Sequence, residues 1–213
     1  MSIDILKNYI LIKDNIKTLS LRTNLIVVCK NRDISEIKNI ITSGHLHFGE
    51  NKVQEAVNKW SDILNNNKNI NLHFIGRLQS NKAEEAFNIF NFVHSLDNEK
   101  LALIFSNLEK FKNKKIKYFV QVNIGNEKQK GGIQISYVHD FINYCKNDLN
   151  LNIIGLMCIP PLNCDPNPFF MNLNKLNIDC NLQELSMGMS SDYIEAIKNG
   201  STFVRIGSAI FNN

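Results

Sequence analysis

A single-domain (β/α)8 (TIM) barrel with one extra N-terminal helix is the fold class this sequence predicts. Three observations predict it. Short apolar runs alternate eight times with segments in which apolar residues recur at helical spacing. No Gly-x-Gly-x-x-Gly follows the first apolar run, as an open doubly wound nucleotide fold would show. The chain has 213 residues, roughly 27 per unit, near the low end for a closed barrel. Residues 1–213 are therefore expected to form one domain, with nothing over for a second.

The elements follow in order. A leading helix is expected from Ile3 to Leu19, where apolar residues recur at helical spacing. LIVVC, from Leu25, is five apolar residues long and reads as a strand buried on both faces, and it runs straight into Lys30. DISEIKNIITSG is a helix, with Asp33 or Ser35 as cap, Ile37, Ile40 and Ile41 on one face, and Gly44 at the stop. HLHF is the second strand and NKVQEAVNKWSDIL the second helix of the repeat, with Trp60 and the Val53, Ala56, Val57 stripe packing inward. Asn65 to Asn71 is a polar loop leading into NLHFIG, the third strand, and KAEEAFNIF is the helix after it. FVHSL and DNEKLALIFSNLEKF, then IKYFVQVNI and SYVHDFINYCKN, continue the alternation. NIIGLMCI is the sixth strand, PFFMNLNKL a short helix, ELSM the seventh strand and SDYIEAIKNG a helix. TFVRIG is the eighth strand, with a final turn at SAIFNN.

Composition excludes several functions. Hydrophobic residues make up 44% and charged residues 21%, ordinary for a globular protein. The net charge of +4 is scattered among acidic residues, so neither nucleic acid nor membrane is an expected partner. No apolar run approaches the roughly 20 residues of a membrane span. Charges interrupt the apolar N-terminal stretch, so it does not resemble a secretory signal. The five cysteines form no Cys-x-x-Cys pair and are odd in number, which points to reduced thiols and a cytoplasmic protein. His45 and His47 fit one face of a short strand without a second ligand pair, so no metal is expected.

In a barrel the chemistry belongs at the carboxyl ends of the strands. Lys30 ends the first strand, Gly49-Glu50-Asn51 the second and GRLQSNK the third. Asn123 ends the fifth and Met157 the sixth. Two stretches are built for an anion: SMGMSSD after the seventh strand and RIGSAIF after the eighth. Glycine lets backbone amides approach a ligand, and a helix start offers unpaired N–H groups. Opposite a lysine, such loops fit a phosphorylated aldehyde or ketone, with the neutral amine attacking the carbonyl. Pyridoxal 5′-phosphate and a sugar phosphate in an aldolase both answer that description. For the aldolase, Glu50 is the only obvious carboxylate in the second loop. GRLQSNK, with Arg77 and Lys82, is expected to form a lip around the mouth.

LIVVCK, HFGENKVQEA, LHFIGRLQSNK, GLMCIPP and LSMGMSSDYIEAIKNGSTFVRIGSAIF together resemble the YggS/PROSC family of pyridoxal phosphate homeostasis proteins, from about Leu25 to Phe211. The resemblance implies a barrel like the N-terminal domain of alanine racemase, carrying pyridoxal 5′-phosphate as an imine on Lys30. It implies Asn51 near the ring, Arg205 facing the pyridine nitrogen, and Ser186, Ser190, Gly207 and Ser208 as the phosphate cradle. It implies a carrier or buffer of the cofactor inside the cell without strong catalysis, with an amino-acid racemase or lyase as the alternative. Free amino acids and apoenzymes that take up the cofactor are the implied partners, and a monomer the implied state. An arginine, which cannot give up its proton, would keep the pyridine nitrogen unprotonated and the ring a poor electron sink. The chain departs from the family pattern at Cys29, where serine is usual, at Lys52, where an aromatic is usual, and at Ser208, where threonine is. The segment Pro161 to Asp179 is shortened.

Overall fold

A computed structural model describes residues 4–211. The expected helix start at Ile3 and the end of the final turn at residues 212–213 lie outside them. α1 (Ile5–Leu19) precedes the barrel, capped by the Asp4 side chain, which accepts from Lys7 N. The strands are β1 (Asn24–Val28), β2 (His47–Glu50), β3 (Asn71–Phe74), β4 (Phe92–Leu96), β5 (Lys117–Gln121), β6 (Ile153–Met157), β7 (Glu184–Ser186) and β8 (Phe203–Ile206). Between and after them come α2 (Ile34–Thr42), α3 (Val53–Asn66), α4 (Ala83–Ile89), α5 (Glu99–Lys112), α6 (Val138–Asn143), α7 (Asn167–Asp179), α8 (Tyr193–Lys198) and α9 (Ser208–Phe211). The strands pair in parallel in chain order and close on themselves. The seam runs from Asn24 opposite Phe203 to Val27 opposite Ile206.

Strand alternation sorts the side chains into two cores. Ile26, Phe92, Phe119, Met157 and Phe203 fill the inside of the barrel. Leu25, Val27, Cys29, Phe48, Leu72 and Val93 face outward and pack under the helices with Trp60. Polar side chains share the interior: His73, His94, Ser186 and Arg205, all buried, and His47, half-buried at the amino-terminal end. Because β1 alternates, Lys30 falls in phase with the interior residues Ile26 and Val28, and Cys29 with the outer layer.

Three expectations need correcting. The helix after β6 is not short: α7 runs 13 residues. Its buried face continues through Asn177, whose amide donates to Leu182 O and accepts from Leu156 N. An asparagine on the buried face hides the period from a count of apolar residues. The helix after β5 is broken instead: α6 ends at Asn143 and one π-helical turn follows over Tyr144–Asp148. His45, expected in the second strand, precedes β2 and is buried against Tyr9 of α1. Its Nε2 lies 2.8 Å from His47 O, and its Nδ1 lies 3.2 Å from the Tyr9 hydroxyl.

That burial has a pH consequence. It pushes the His45 imidazole down from 6.5 to about 4. The folded chain keeps it neutral while the unfolded chain takes a proton near 6.5. The contribution is therefore complete above pH 6.5 and is lost as pH falls toward 4. It amounts to about 3 kcal/mol. Urea midpoints measured across this window should fall with acid in the native chain and fall less steeply in His45→Gln. Equal slopes in the two would assign the acid sensitivity elsewhere.

Candidate functional site

The site assembles at the carboxyl ends of β7, β8, β1 and β2, which are neighbours in the barrel. At the end of β1 the chain is clamped on both sides of Lys30. Lys59, on α3, donates to Cys29 O at 2.7 Å and to Glu50 Oε1 and Glu55 Oε1 at 2.9 Å each. Asn31 N donates to the same Glu55 oxygen at 2.6 Å. Asn31 takes a left-handed φ of 55°, which turns the chain away after the lysine. Glu50 is fully buried and also accepts from Trp60 Nε1 at 2.9 Å. Burial pushes the Glu50 carboxyl up, against the lowering pull of Trp60 and Lys59. Burial alone would lower the Lys59 ammonium, but its bonds to the two glutamates outweigh it and raise it. Lys30 itself is exposed and has no hydrogen-bond or carboxylate partner among the described residues.

Asn51 follows β2. Its Oδ1 is buried without a partner, an acceptor left for something else. The backbone of Asn51 presses on Gly76 so closely that a Cβ there would collide with its carbonyl. Asn51 borders a cleft of about 1090 Å³ lined also by Arg77, Gln79, Lys82, Asp97 and Gly132. The expected lip thus lines this cleft. Lys82 pairs with Glu85 at 2.8 Å, and Arg77 is exposed. Asn123 serves its own loop, accepting from Glu127 N and donating to Glu127 O.

The two anion loops meet. Ala209 N donates to Ser190 Oγ at 3.3 Å, joining the loop after β7 to the start of α9. Gly207 lies against β1: a Cβ there would sit 3.0 Å from Val28 O and 3.2 Å from Val28 Cβ. Ser208, beside it, is exposed. Ser186 lies deeper than the other three members of the expected cradle. It is fully buried, and its Oγ accepts from Arg205 Nη1 at 2.7 Å and lies 2.8 Å from His94 Nδ1. Arg205 also donates from Nη2 to Cys158 O at 2.9 Å. Burial lowers its guanidinium from the ordinary value.

Ser190, Gly207, Ser208 and the backbone leading to Lys30 therefore share one rim, with Asn51 one strand away and Arg205 and Ser186 beneath. Sequence reading missed Lys59 and Glu55. The i, i+4 spacing of Glu55 and Lys59 was visible, but the carbonyl of Cys29 that Lys59 reaches was not. It also placed Glu50 at the mouth. Alternation turns Glu50 outward to α3, which removes the carboxylate that an aldolase reading relied on.

A closed parallel barrel with a free lysine after its first strand and two glycine loops after its last two defines a class. The sequence matches the family described as "Alanine racemase, N-terminal domain" over residues 8–212. Alanine racemase of Clostridium difficile shares this fold with a TM-score of 0.76 at 14% identity, over 99% of this chain and 56% of that one. Nearer relatives narrow the class. A pyridoxal phosphate homeostasis protein of Synechocystis is 34% identical over 207 residues, 93% of this chain and 94% of that protein. One from Aquifex aeolicus is 35% identical over 189 residues, 82% and 80% of the two chains. PipY of Synechococcus elongatus, solved with pyridoxal phosphate bound, superposes with a TM-score of 0.89 at 29% identity, over 98% of this chain and 100% of that one. The chain belongs to the pyridoxal phosphate homeostasis protein family, the YggS/PROSC group.

Proposed function

We propose that this protein binds pyridoxal 5′-phosphate and serves its homeostasis as a carrier or buffer in the cytoplasm. The single observation that carries the reading is Lys30, a primary amine without a partner among the described residues, whose flanking backbone is clamped, one strand from the Gly207 loop. When bound, the cofactor supplies an aldehyde that a primary amine captures reversibly through a C=N bond.

The residues fit that group. Gly207, where a Cβ would press on Val28 of β1, holds the rim close, and the Ser190 and Ser208 hydroxyls flank it as donors to a phosphate. The orphaned Asn51 Oδ1, after the strand that neighbours β1, would accept a hydrogen bond. Arg205 is positioned by Ser186 and Cys158 O and would supply a permanent cation to the ring nitrogen. Ser186 therefore works as the support of Arg205, beneath the cradle formed by Ser190, Gly207 and Ser208. Lys30 and Ser208 are both exposed, so a free amino acid or an acceptor protein can approach the bound group directly. That access suits exchange.

The test is chemical. The purified chain is mixed with pyridoxal 5′-phosphate, reduced with borohydride, digested and mapped by mass. One cofactor should be fixed, on the peptide that carries Lys30. No mass fixed on any peptide would end the reading. Rapid exchange of the α-hydrogen of an added amino acid with solvent deuterium would move the protein to the racemase or lyase class.

A further inference from the structure

A file of polar side chains runs through the barrel interior. His47 Nδ1 lies 2.9 Å from His73 Nε2, and His73 Nδ1 lies 2.9 Å from His94 Nε2. His94 Nδ1 lies 2.8 Å from Ser186 Oγ, the oxygen that Arg205 Nη1 reaches at 2.7 Å. Phe92 stacks on His73 with ring centroids 4.2 Å apart, and Phe119 on His94 at 4.3 Å. Both histidines are fully buried between these walls. His47 is half-buried and borders a cavity of about 420 Å³ at the amino-terminal mouth of the barrel.

Counting hydrogens gives the file a direction. A guanidinium only donates, so the Arg205 hydrogen ends on Ser186 Oγ. The serine hydroxyl has one hydrogen to give, and His94 Nδ1 is its recorded partner. His94 then carries its hydrogen on Nε2 and donates to His73 Nδ1. His73 in turn donates from Nε2 to His47 Nδ1, and the His47 hydrogen sits on Nε2. The opposite direction would leave the buried Ser186 hydrogen with no acceptor among the described residues, which is unfavourable for a desolvated donor. In the favoured direction the bare nitrogens face Arg205. Arg205 is buried with no carboxylate in ion-pair contact among the described residues, so Cys158 O, Ser186 Oγ and these aligned dipoles compensate it.

We infer that His47, His73 and His94 form a one-directional relay that positions Arg205 through Ser186 and ties it to the proton occupancy of the amino-terminal mouth. For His47 to take a second hydrogen it must accept it on Nδ1, where the His73 Nε2–H already points. The balanced end state has His47 protonated on both nitrogens and His73 and His94 each carrying their hydrogen on Nδ1. Each hydrogen has then moved one bond toward His47, that of His73 to His47 Nδ1, that of His94 to His73 Nδ1 and that of Ser186 to His94 Nδ1, and the solvent proton replaces the hydrogen on Ser186 Oγ. One proton enters from solvent and none leaves. His47 is faced by His73, Lys117, Lys146 and Glu184; His73 by His45, His47, His94 and Lys117; His94 by His73, His47 and Arg205. Burial first, and then these cations, lowers all three imidazoles, so the file is neutral at neutral pH.

The tautomers are read by long-range ¹H–¹⁵N correlation on the full chain with labelled histidine and no added ligand. That measurement stands apart from the pyridoxal phosphate reading, whose failure shows in the borohydride map. At neutral pH, His47, His73 and His94 should all carry hydrogen on Nε2. When acid protonates His47, the other two should move to Nδ1 in the same step. In His73→Gln, which keeps a donor and an acceptor but has no tautomers, His94 should lose its response to the His47 titration. An Nδ1 hydrogen on any of the three at neutral pH would overturn the relay. So would a native chain in which His47 titrates while His94 stays unchanged, a result that needs no variant to fold.

Discussion

Lys30→Ala is expected to abolish the imine absorption of the chain with pyridoxal 5′-phosphate and all borohydride-fixed mass. Lys30 is exposed and without a partner among the described residues, so the substitution should leave stability within about 0.5 kcal/mol. The loss then belongs to the amine and not to the fold. The Ser190, Gly207 and Ser208 rim remains, so binding should weaken rather than vanish, by roughly two orders of magnitude or ~2.8 kcal/mol. Lys30→Arg separates charge from nucleophile: arginine keeps the cation but cannot be deprotonated, so it should fail as alanine does. Absorbance titrations of the three proteins and a mass map settle the matter. Fixation persisting in Lys30→Ala would transfer the role to another lysine, with Lys52, which follows Asn51 and lines the neighbouring cleft, the first to test.

Lys59→Met should give the largest loss of stability. The Lys59 side chain is 9% exposed and Glu50 is fully buried, and among the described residues the ammonium is the only cation on that carboxylate. Removing it leaves Glu50 Oε1 with Trp60 alone, and Oε2 has no partner already. Stranding a buried charge in this way costs about 3–5 kcal/mol. Adding Glu50→Gln should recover much of it, because the pair is then neutral on both sides. The urea midpoint of the single variant, set against that of the double, is the measurement. A single-variant loss under about 1 kcal/mol would mean that water reaches Glu50. Cofactor fixation in the folded variant should also slow, since Lys59 holds Cys29 O and shares Glu55 with Asn31 on either side of Lys30.

Legibility followed chemistry that is local along the chain. Eight apolar runs and the helices between them were readable because burial repeats every second or every 3.6 residues. Lys30 stood out because it ends an unbroken apolar run, and Gly188 and Gly207 because they sit in hydroxyl-rich stretches after strands. What failed was local too. Asn177 concealed the length of α7, and a histidine two residues ahead of β2 passed for part of it.

By itself, the sequence determined the barrel, its extra helix, the strand-end position of the lysine and the two glycine loops. Only tertiary structure decided which polar groups share partners. Glu50 turned to α3, Ser186 to Arg205, and His94 met a serine 92 residues away. Hydrophobic periodicity says which face of a strand is buried. A hydrogen-bond partner on that face depends on how closure of the ring sets one strand's register against strands distant in the chain.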